Sequence, residues 1–204
     1  DTKRRTTLEG LYAAGDVSGG SPKKYVTGCF AEGQIAAENA ASYITGKKLV
    51  TIPENKIYEY MQGIARFFHG ESEFETEQIE EAMQKTMDEY SGGISQHYSY
   101  TEEKLNIAEK RIDELLSLSY NLKAKNQHEL LSIYELIDRL YVAKVVIAHL
   151  KARKETRWKC YEENDSYKNK DDKNWLKYVN SVYKDGKVNI LFRKIVKRNE
   201  VYEH

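Results

Sequence analysis

A phosphate, or a bound ring that gathers negative charge, can be held by the unpaired backbone N–H groups at the start of a helix. Residues 10–41 have a pattern that builds such a place. Leu11-Tyr12-Ala13-Ala14 is a short apolar run closed by Gly15-Asp16, and the loop over 17–22 contains Gly19-Gly20. This reads as a strand followed by a turn. From about Thr27 the small residues Gly28, Ala31, Gly33, Ala36, Ala37, Ala40 and Ala41 fall mostly three or four apart. That spacing predicts a helix with a thin face able to lie close to a sheet or a ligand. Asp16, straight after the strand, is placed to accept hydrogen bonds from sugar-type hydroxyls. Gly–Asp and Gly–Gly after a strand are also ordinary turn chemistry, so pattern alone leaves a ligand site and a plain turn both open.

Other reactive side chains form no constellation. His69, His97, His128 and His149 lack HxxxH spacing, and Cys29 and Cys160 lack CxxC or Cys/His zinc spacing. No metal site is assigned to them, and they read as surface or helix-end residues. Cys29 near a helix start could react as a thiolate. Met83 and Met87 share a helix face and read as core. Two cysteines without a framework fit a reducing compartment, taken here as the cytoplasm.

These residues are positioned by a mainly helical α+β chain. Gly46 ends the first helix, and residues 47–55, with Pro53, form a connector. Thr76 caps a helix carrying Ile79, Met83, Met87 and Tyr90 on one side, stopped by Gly92-Gly93. Ser99 or Thr101 caps the next, with Glu102 and Glu103 in its first turn and Leu105, Ala108, Ile112, Leu115 and Leu122 as its stripe. The third helix, roughly 126–153, is apolar on more than one side and belongs at the centre of a bundle. Residues 179–192, with Asp185-Gly186 between two alternating segments, predict a β-hairpin. The expected organisation is 1–50 as the end of one domain, 51–165 as a helical bundle and 166–204 as a tail with the hairpin. No internal repeat is evident.

Composition bounds the class. The 204 residues carry 32 basic and 32 acidic groups, with 40% hydrophobic and 31% charged residues, which excludes collagenous and disordered classes. The most apolar stretch, 141–150, already holds Lys144 and His149, so no membrane span is expected. Residues 54–104 hold 12 acidic and 4 basic side chains, whereas 151–204 hold 15 basic and 9 acidic. A basic end can bind nucleic acid, attract an acidic protein or dock on its own acidic segment. Overall neutrality gives the first no support, and no nucleic-acid partner is expected. The chain opens on Asp1 with no signal-type apolar region, and the expectation is a piece of a longer protein.

The segment Gly10-Leu11-Tyr12-Ala13-Ala14-Gly15-Asp16, followed by Ala31-Glu32-Gly33-Gln34-Ile35-Ala36-Ala37, resembles the second flavin-contacting segment of the fumarate reductase and succinate dehydrogenase flavoprotein superfamily. More narrowly, Met87-Asp88-Glu89-Tyr90, His128-Glu129-Leu130-Leu131, Arg153-Lys154-Glu155-Thr156-Arg157-Trp158, Asp171-Asp172-Lys173-Asn174-Trp175-Leu176 and Val179-Asn180-Ser181 resemble the C-terminal region of adenylylsulfate reductase alpha subunits. The resemblance implies FAD in the full-length protein, with Gly15, Asp16, Thr27, Gly28, Cys29 and Phe30 as cofactor-binding residues. Asp16 matches the acidic residue that bonds the ribityl chain. Cys29 and Phe30 match the pair whose backbone N–H groups face the pyrimidine edge of the flavin, which makes Cys29 a backbone contributor rather than a redox thiol. Lys24 matches the basic position that grips substrate, which implies a small anionic substrate; the plain alternative for Lys23 and Lys24 is a solvated basic loop.

The resemblance further implies reduction of adenylylsulfate to AMP and sulfite, with electrons arriving through a ferredoxin-like iron–sulfur beta subunit. The family's loop histidines are replaced by Lys23 and Phe30, and the GxGxxG unit that holds the ADP part of FAD is absent from the chain. These departures leave two alternatives: a fumarate- or succinate-type flavoprotein acting on a dicarboxylate, and a non-catalytic helical interaction module. Arg157 and Trp158 are expected to anchor a bend by stacking and charge pairing.

Overall fold

A computed structural model of the chain describes residues 1–18 and 25–195. It divides into two compact units, Asp1–Pro53 and a second that begins at Glu54.

In the first unit residues 4–13 double back on themselves. Thr6 N–H donates to Leu11 O and Ala13 N–H to Arg4 O, both at 3.0 Å, around an isolated antiparallel bridge between Arg5 and Tyr12. The predicted strand over 11–14 is therefore only this bridge. A strand needs a continuing ladder, and the described residues offer none. A 3₁₀ turn, Gly15–Ser18, precedes helix α1, Val26–Ile44, which closes ahead of Gly46 at φ +75°. The turned segment is tied to α1 from two sides. Tyr12 Oη donates to Asn39 O at 3.2 Å, and Tyr43 Oη donates to Glu9 Oε1 at 2.7 Å. Among the described residues of this unit only Gly15 and Glu32 are buried.

The second unit opens with helix α2, Glu54–Ala65, inside and beyond the region read as connector. Three longer helices follow: α3, Thr76–Tyr90; α4, Glu102–Ser119; and α5, Gln127–Ala152. Their starts are set by side chains that satisfy backbone donors. Asn126 Oδ1 accepts from His128 N–H at 2.9 Å and Glu129 N–H at 3.0 Å, and Thr101 Oγ1 accepts from Lys104 N–H at 3.2 Å. The α3 cap is Glu75 rather than Thr76. Glu75 and Gln78 form a reciprocal capping box that moves the start one residue ahead.

Of the two candidates ahead of α4, Ser99 instead belongs to β1, Ser99–Tyr100, a short strand parallel to β2, Glu163–Asn164. At the end of α3 the chain turns through Gly92 at φ +79°, where a Cβ would lie 3.0 Å from the Tyr100 ring and 3.2 Å from Tyr98 O. Only glycine fits there without displacement.

Helix α5 is the centre of the bundle. Ile133, Leu136, Ile137, Leu140, Ala143 and Ile147 are buried against Ile79 and Met83 of α3 and Ala108, Ile112 and Leu116 of α4. Each fully buried aliphatic side chain contributes about 1.5 to 3 kcal/mol relative to exposure. Phe67, from the 3₁₀ turn after α2, completes this core. Ion pairs cross the helices of this unit, and one of them, Lys154 with Glu102, joins the basic end to the acidic segment. Arg139 pairs with Glu80, Lys144 with Asp113 at 2.5 Å, Lys151 with Glu109 at 2.7 Å, and Lys154 with Glu102.

After a short helix α6, Asp172–Trp175, the hairpin consists of β3, Lys177–Lys184, and β4, Lys187–Lys194. Asp185 and Gly186 both take positive φ, 53° and 75°, which suits a two-residue turn matched to the twist of the strands. The hairpin lies against α5, where Tyr183 meets the Tyr141 ring edge-on with centroids 5.4 Å apart.

Candidate functional site

The turn Gly15–Ser18 is held against α1 by a buried carboxylate. Glu32 Oε2 accepts from Gly15 N–H and from Ser18 Oγ, each at 2.8 Å, and Arg4 Nη2 lies 3.4 Å from Glu32 Oε1. Burying a lone carboxylate would be costly, and these partners offset the cost while fixing where the turn sits. Gly15 is at φ +75°, and a Cβ there would meet Cys29 Sγ at 3.3 Å. The turn thus rests directly on the first turns of α1, with half-buried Cys29 as the contact. Ser18 Oγ also lies 2.7 Å from Gly15 O, so its single proton is shared between that carbonyl and the Glu32 carboxylate. Asp16 is exposed on its outer side.

Helix α1 starts at Val26 with Tyr25 as an extended N-cap residue, no side-chain cap and no acidic residue in its first turn. The N–H groups of Val26, Thr27 and Gly28 have no intrahelical acceptor and point along the positive end of the helix dipole. Cys29 N–H, by contrast, donates to Tyr25 O at 2.9 Å. Of the expected set, Thr27 and Gly28 thus offer amides without an intrahelical acceptor, while the Cys29 amide is taken up within the helix. The Phe30 ring is exposed. Lys24, the expected substrate-binding residue, and Lys23 lie outside the described residues.

Glu32 and Arg4 were not singled out by sequence reasoning. A glutamate among small residues in a helix looks like any solvated one, and only the turn packed over it shows its role.

The narrowest sequence motifs meet in a different place. Glu155 is buried and accepts from Arg153 Nη1 at 2.6 Å, Arg157 Nε at 2.8 Å, Arg157 Nη2 at 3.0 Å and Asp171 N–H at 2.8 Å. Arg153 also donates to Trp175 O at 3.1 Å and Lys177 O at 3.0 Å, and Arg157 to Asp172 Oδ1 at 2.8 Å. Burial alone would push the Glu155 carboxyl up; the hydrogen bonds from Arg157, the Asp171 N–H and Arg153 outweigh it and hold the carboxyl below the ordinary range. Thr156 Oγ1 accepts from the buried Asn164 N–H at 2.9 Å and donates to Tyr167 O at 3.0 Å. The Glu-Thr-Arg and Asp-Asp-x-Asn-Trp segments thus form one knot that fastens the end of α5 to α6 and the start of β3. Arg157 does anchor this bend by charge pairing. The stacking expected of Trp158 does not occur: its ring is exposed, and Arg153 instead lies 5.9 Å from the Trp175 ring centre.

His149 Nε2 is 2.9 Å from Ser181 Oγ, joining α5 to β3. Both cysteines are free. Among the described residues no helix is long and apolar enough to cross a membrane.

Residues 80–202 match the family model described as the fumarate reductase flavoprotein C-terminal region. The chain belongs to this flavoprotein family. A curated relative, the adenylylsulfate reductase alpha subunit of Megalodesulfovibrio gigas, is 26% identical over 90% of this chain and 30% of its own length. The adenylylsulfate reductase of Archaeoglobus fulgidus matches 98% of this chain and 34% of its own at TM-score 0.86 and 29% identity. A quinol fumarate reductase of E. coli aligns over 100% of this chain and 37% of its own at TM-score 0.77 but only 19% identity, a likeness of fold. The chain spans about a third of the length of the relatives it matches. The mainly helical fold with a C-terminal hairpin is that of the C-terminal part of these flavoproteins.

Proposed function

We propose that the chain is the C-terminal part of an FAD-dependent reductase subunit of the adenylylsulfate reductase kind, which reduces adenylylsulfate to AMP and sulfite. The observation that carries this is the Gly15 turn pinned by Glu32 onto the uncapped start of α1. Its support is the higher identity to adenylylsulfate reductases, 29%, than to the fumarate reductase, 19%. The residues present fit one edge of a flavin. Val26, Thr27 and Gly28 offer amide donors in a first turn free of acidic side chains, and Gly15 lets its turn rest against Cys29 just after them.

In this reading Asp16 accepts a hydrogen bond from a ribityl hydroxyl, and the α1 amides stabilise negative charge at the ring edge. Lys24 holds the anionic substrate, and Gly15, Cys29 and Phe30 shape the wall. FAD, when bound, supplies the electron-transfer chemistry itself. Electrons enter from a ferredoxin-like iron–sulfur beta subunit. No residue of this chain is assigned to a metal, since two separated cysteines cannot hold a cluster. Free cysteines suit the reducing cytoplasm, where we place the protein. The organisation that follows is the end of an FAD domain over 1–50, a helical bundle over 51–165 and a hairpin-bearing tail over 166–204.

Turnover by the full-length subunit tests the reading. Adenylylsulfate consumption with sulfite release supports it; flavin-dependent turnover of fumarate instead identifies the dicarboxylate branch, and a subunit that binds no flavin leaves only a helical interaction module.

A further inference from the structure

The buried core of the chain starts at Phe67. Every buried hydrophobic residue among those described lies at Phe67 or beyond. Helix α2 shows what this leaves. With 3.6 residues per turn, Tyr60, Ile64, Ile57, Met61, Ala65 and Tyr58 fall on one side, interrupted only at the first residue of the helix by Glu54, and Gln62, Asn55, Glu59, Gly63 and Lys56 fall on the other. This is the pattern of a helix with a partner. Yet no residue of α2 is buried, and Tyr60 is 78% exposed, Met61 62% and Ile57 47%. A helix of 12 residues is marginal in water on its own. Leu49 and Val50, just ahead of it, are almost wholly exposed as well.

We propose that the Tyr60–Met61 side of α2 is a docking face for the portion of the flavoprotein subunit that lies outside this chain. The proposal rests on the reading of the chain as part of a longer subunit, and three observations select this occupant. The chain spans only 30% of its curated relative and 34% of the Archaeoglobus enzyme, so most of such a subunit lies elsewhere. The family match begins at residue 80 and the buried core at Phe67, which leaves α2 outside both. Tyrosine and methionine dominate the exposed stripe, and both are enriched where protein surfaces meet. A lipid surface is the poorer fit, because interfacial helices carry several cations on the polar side. Here that side holds only Lys56, paired with Glu59 at 2.8 Å.

Hydrogen exchange of the amides over 54–65, read in the 204-residue chain and in the full-length subunit, tests the proposal. The expected result is fast exchange in the 204-residue chain and exchange slowed roughly tenfold or more in the full-length subunit. Tyr60→Glu and Met61→Glu should leave thermal unfolding of the 204-residue chain unchanged while removing the protection in the full-length subunit. Fast exchange in both forms overturns the proposal. So does protection in the 204-residue chain with a doubled mass by light scattering, which points to a second copy, or protection gained only with phosphatidylglycerol vesicles. A full-length subunit that holds flavin but leaves α2 unprotected sinks this inference and not the flavoprotein reading. A flavin-free subunit with α2 protected does the reverse.

Discussion

The Glu155 carboxylate grips Arg157 with both oxygens, Nε to Oε1 at 2.8 Å and Nη2 to Oε2 at 3.0 Å. Arg153 binds the same carboxylate from the end of α5, so one buried anion joins two guanidinium groups and the backbone of Asp171. The residues that most narrowly mark the family therefore serve the architecture of the domain, and no part of the proposed flavin contact is built from them.

Removing that anion leaves two arginines facing each other at a buried junction. Glu155→Ala should destabilise the second unit by about 3 kcal/mol or more, and Glu155→Gln by less, since an amide still accepts from one arginine. Urea unfolding followed by circular dichroism reads both. The pH dependence has a definite sign. A carboxyl held below its ordinary range contributes stability at neutral pH that is lost as the pH falls below the ordinary glutamate range toward the depressed native value. Glu155→Gln should flatten the stability profile across that acidic window.

His149 gives a second, separable pH dependence. Burial, then the charge of Arg153, lowers its pKa from the ordinary 6.5. The neutral ring is thus the folded form, and stability from this site is complete above about pH 6.5 and declines as the pH falls through the lowered value. The polar groups around it are Arg153 on its own helix, Glu162, and Ser181 and Tyr178 of β3. The protection factors of the β3 amides, corrected for the slower intrinsic exchange in acid, should fall on acidification from pH 7 to 5 and lose this dependence in His149→Gln.

Two substitutions weigh the bundle. Leu136 is wholly buried, so Leu136→Ala should cost about 2 to 5 kcal/mol from lost transfer energy and the cavity left behind. Asn126→Ala removes the acceptor for two backbone donors and should cost about 1 kcal/mol. A thermal denaturation series ranks them, and the order Leu136→Ala worse than Asn126→Ala is the expected one.

In the full-length subunit, Glu32→Ala should lower flavin occupancy by releasing the Gly15 turn from α1, and Gly15→Ala should do the same through its strained φ and the Cys29 contact. Neither change should alter unfolding of the helical unit in the 204-residue chain, because Glu32 and Gly15 lie in the other unit. The ratio of flavin to protein absorbance measures the first effect and calorimetry the second.

Much of the fold is local and so is legible in the sequence. The Asn126 cap, the two apolar sides of α5 and the Asp185-Gly186 turn each act within a few residues, and each element stands within two residues of where the pattern puts it. Helix α2 carried its amphipathic spacing in plain view but followed Pro53 in a stretch read as connector. The β1–β2 bridge joins residues more than sixty positions apart and has no local signal. The strand over 11–14 fails for the opposite reason, as an apolar run becomes a strand only beside a neighbour. In the candidate site the Gly15 turn and α1 were legible, while the buried role of Glu32 depends on packing between segments.

The measurement that bears most directly on the account is a structure of the full-length subunit with its flavin. The account predicts hydrogen-bond distances, about 3 Å, between the ring's polar edge and the N–H groups of Val26, Thr27 or Gly28. A flavin seated elsewhere, with the start of α1 turned to solvent or to another protein surface, would contradict it.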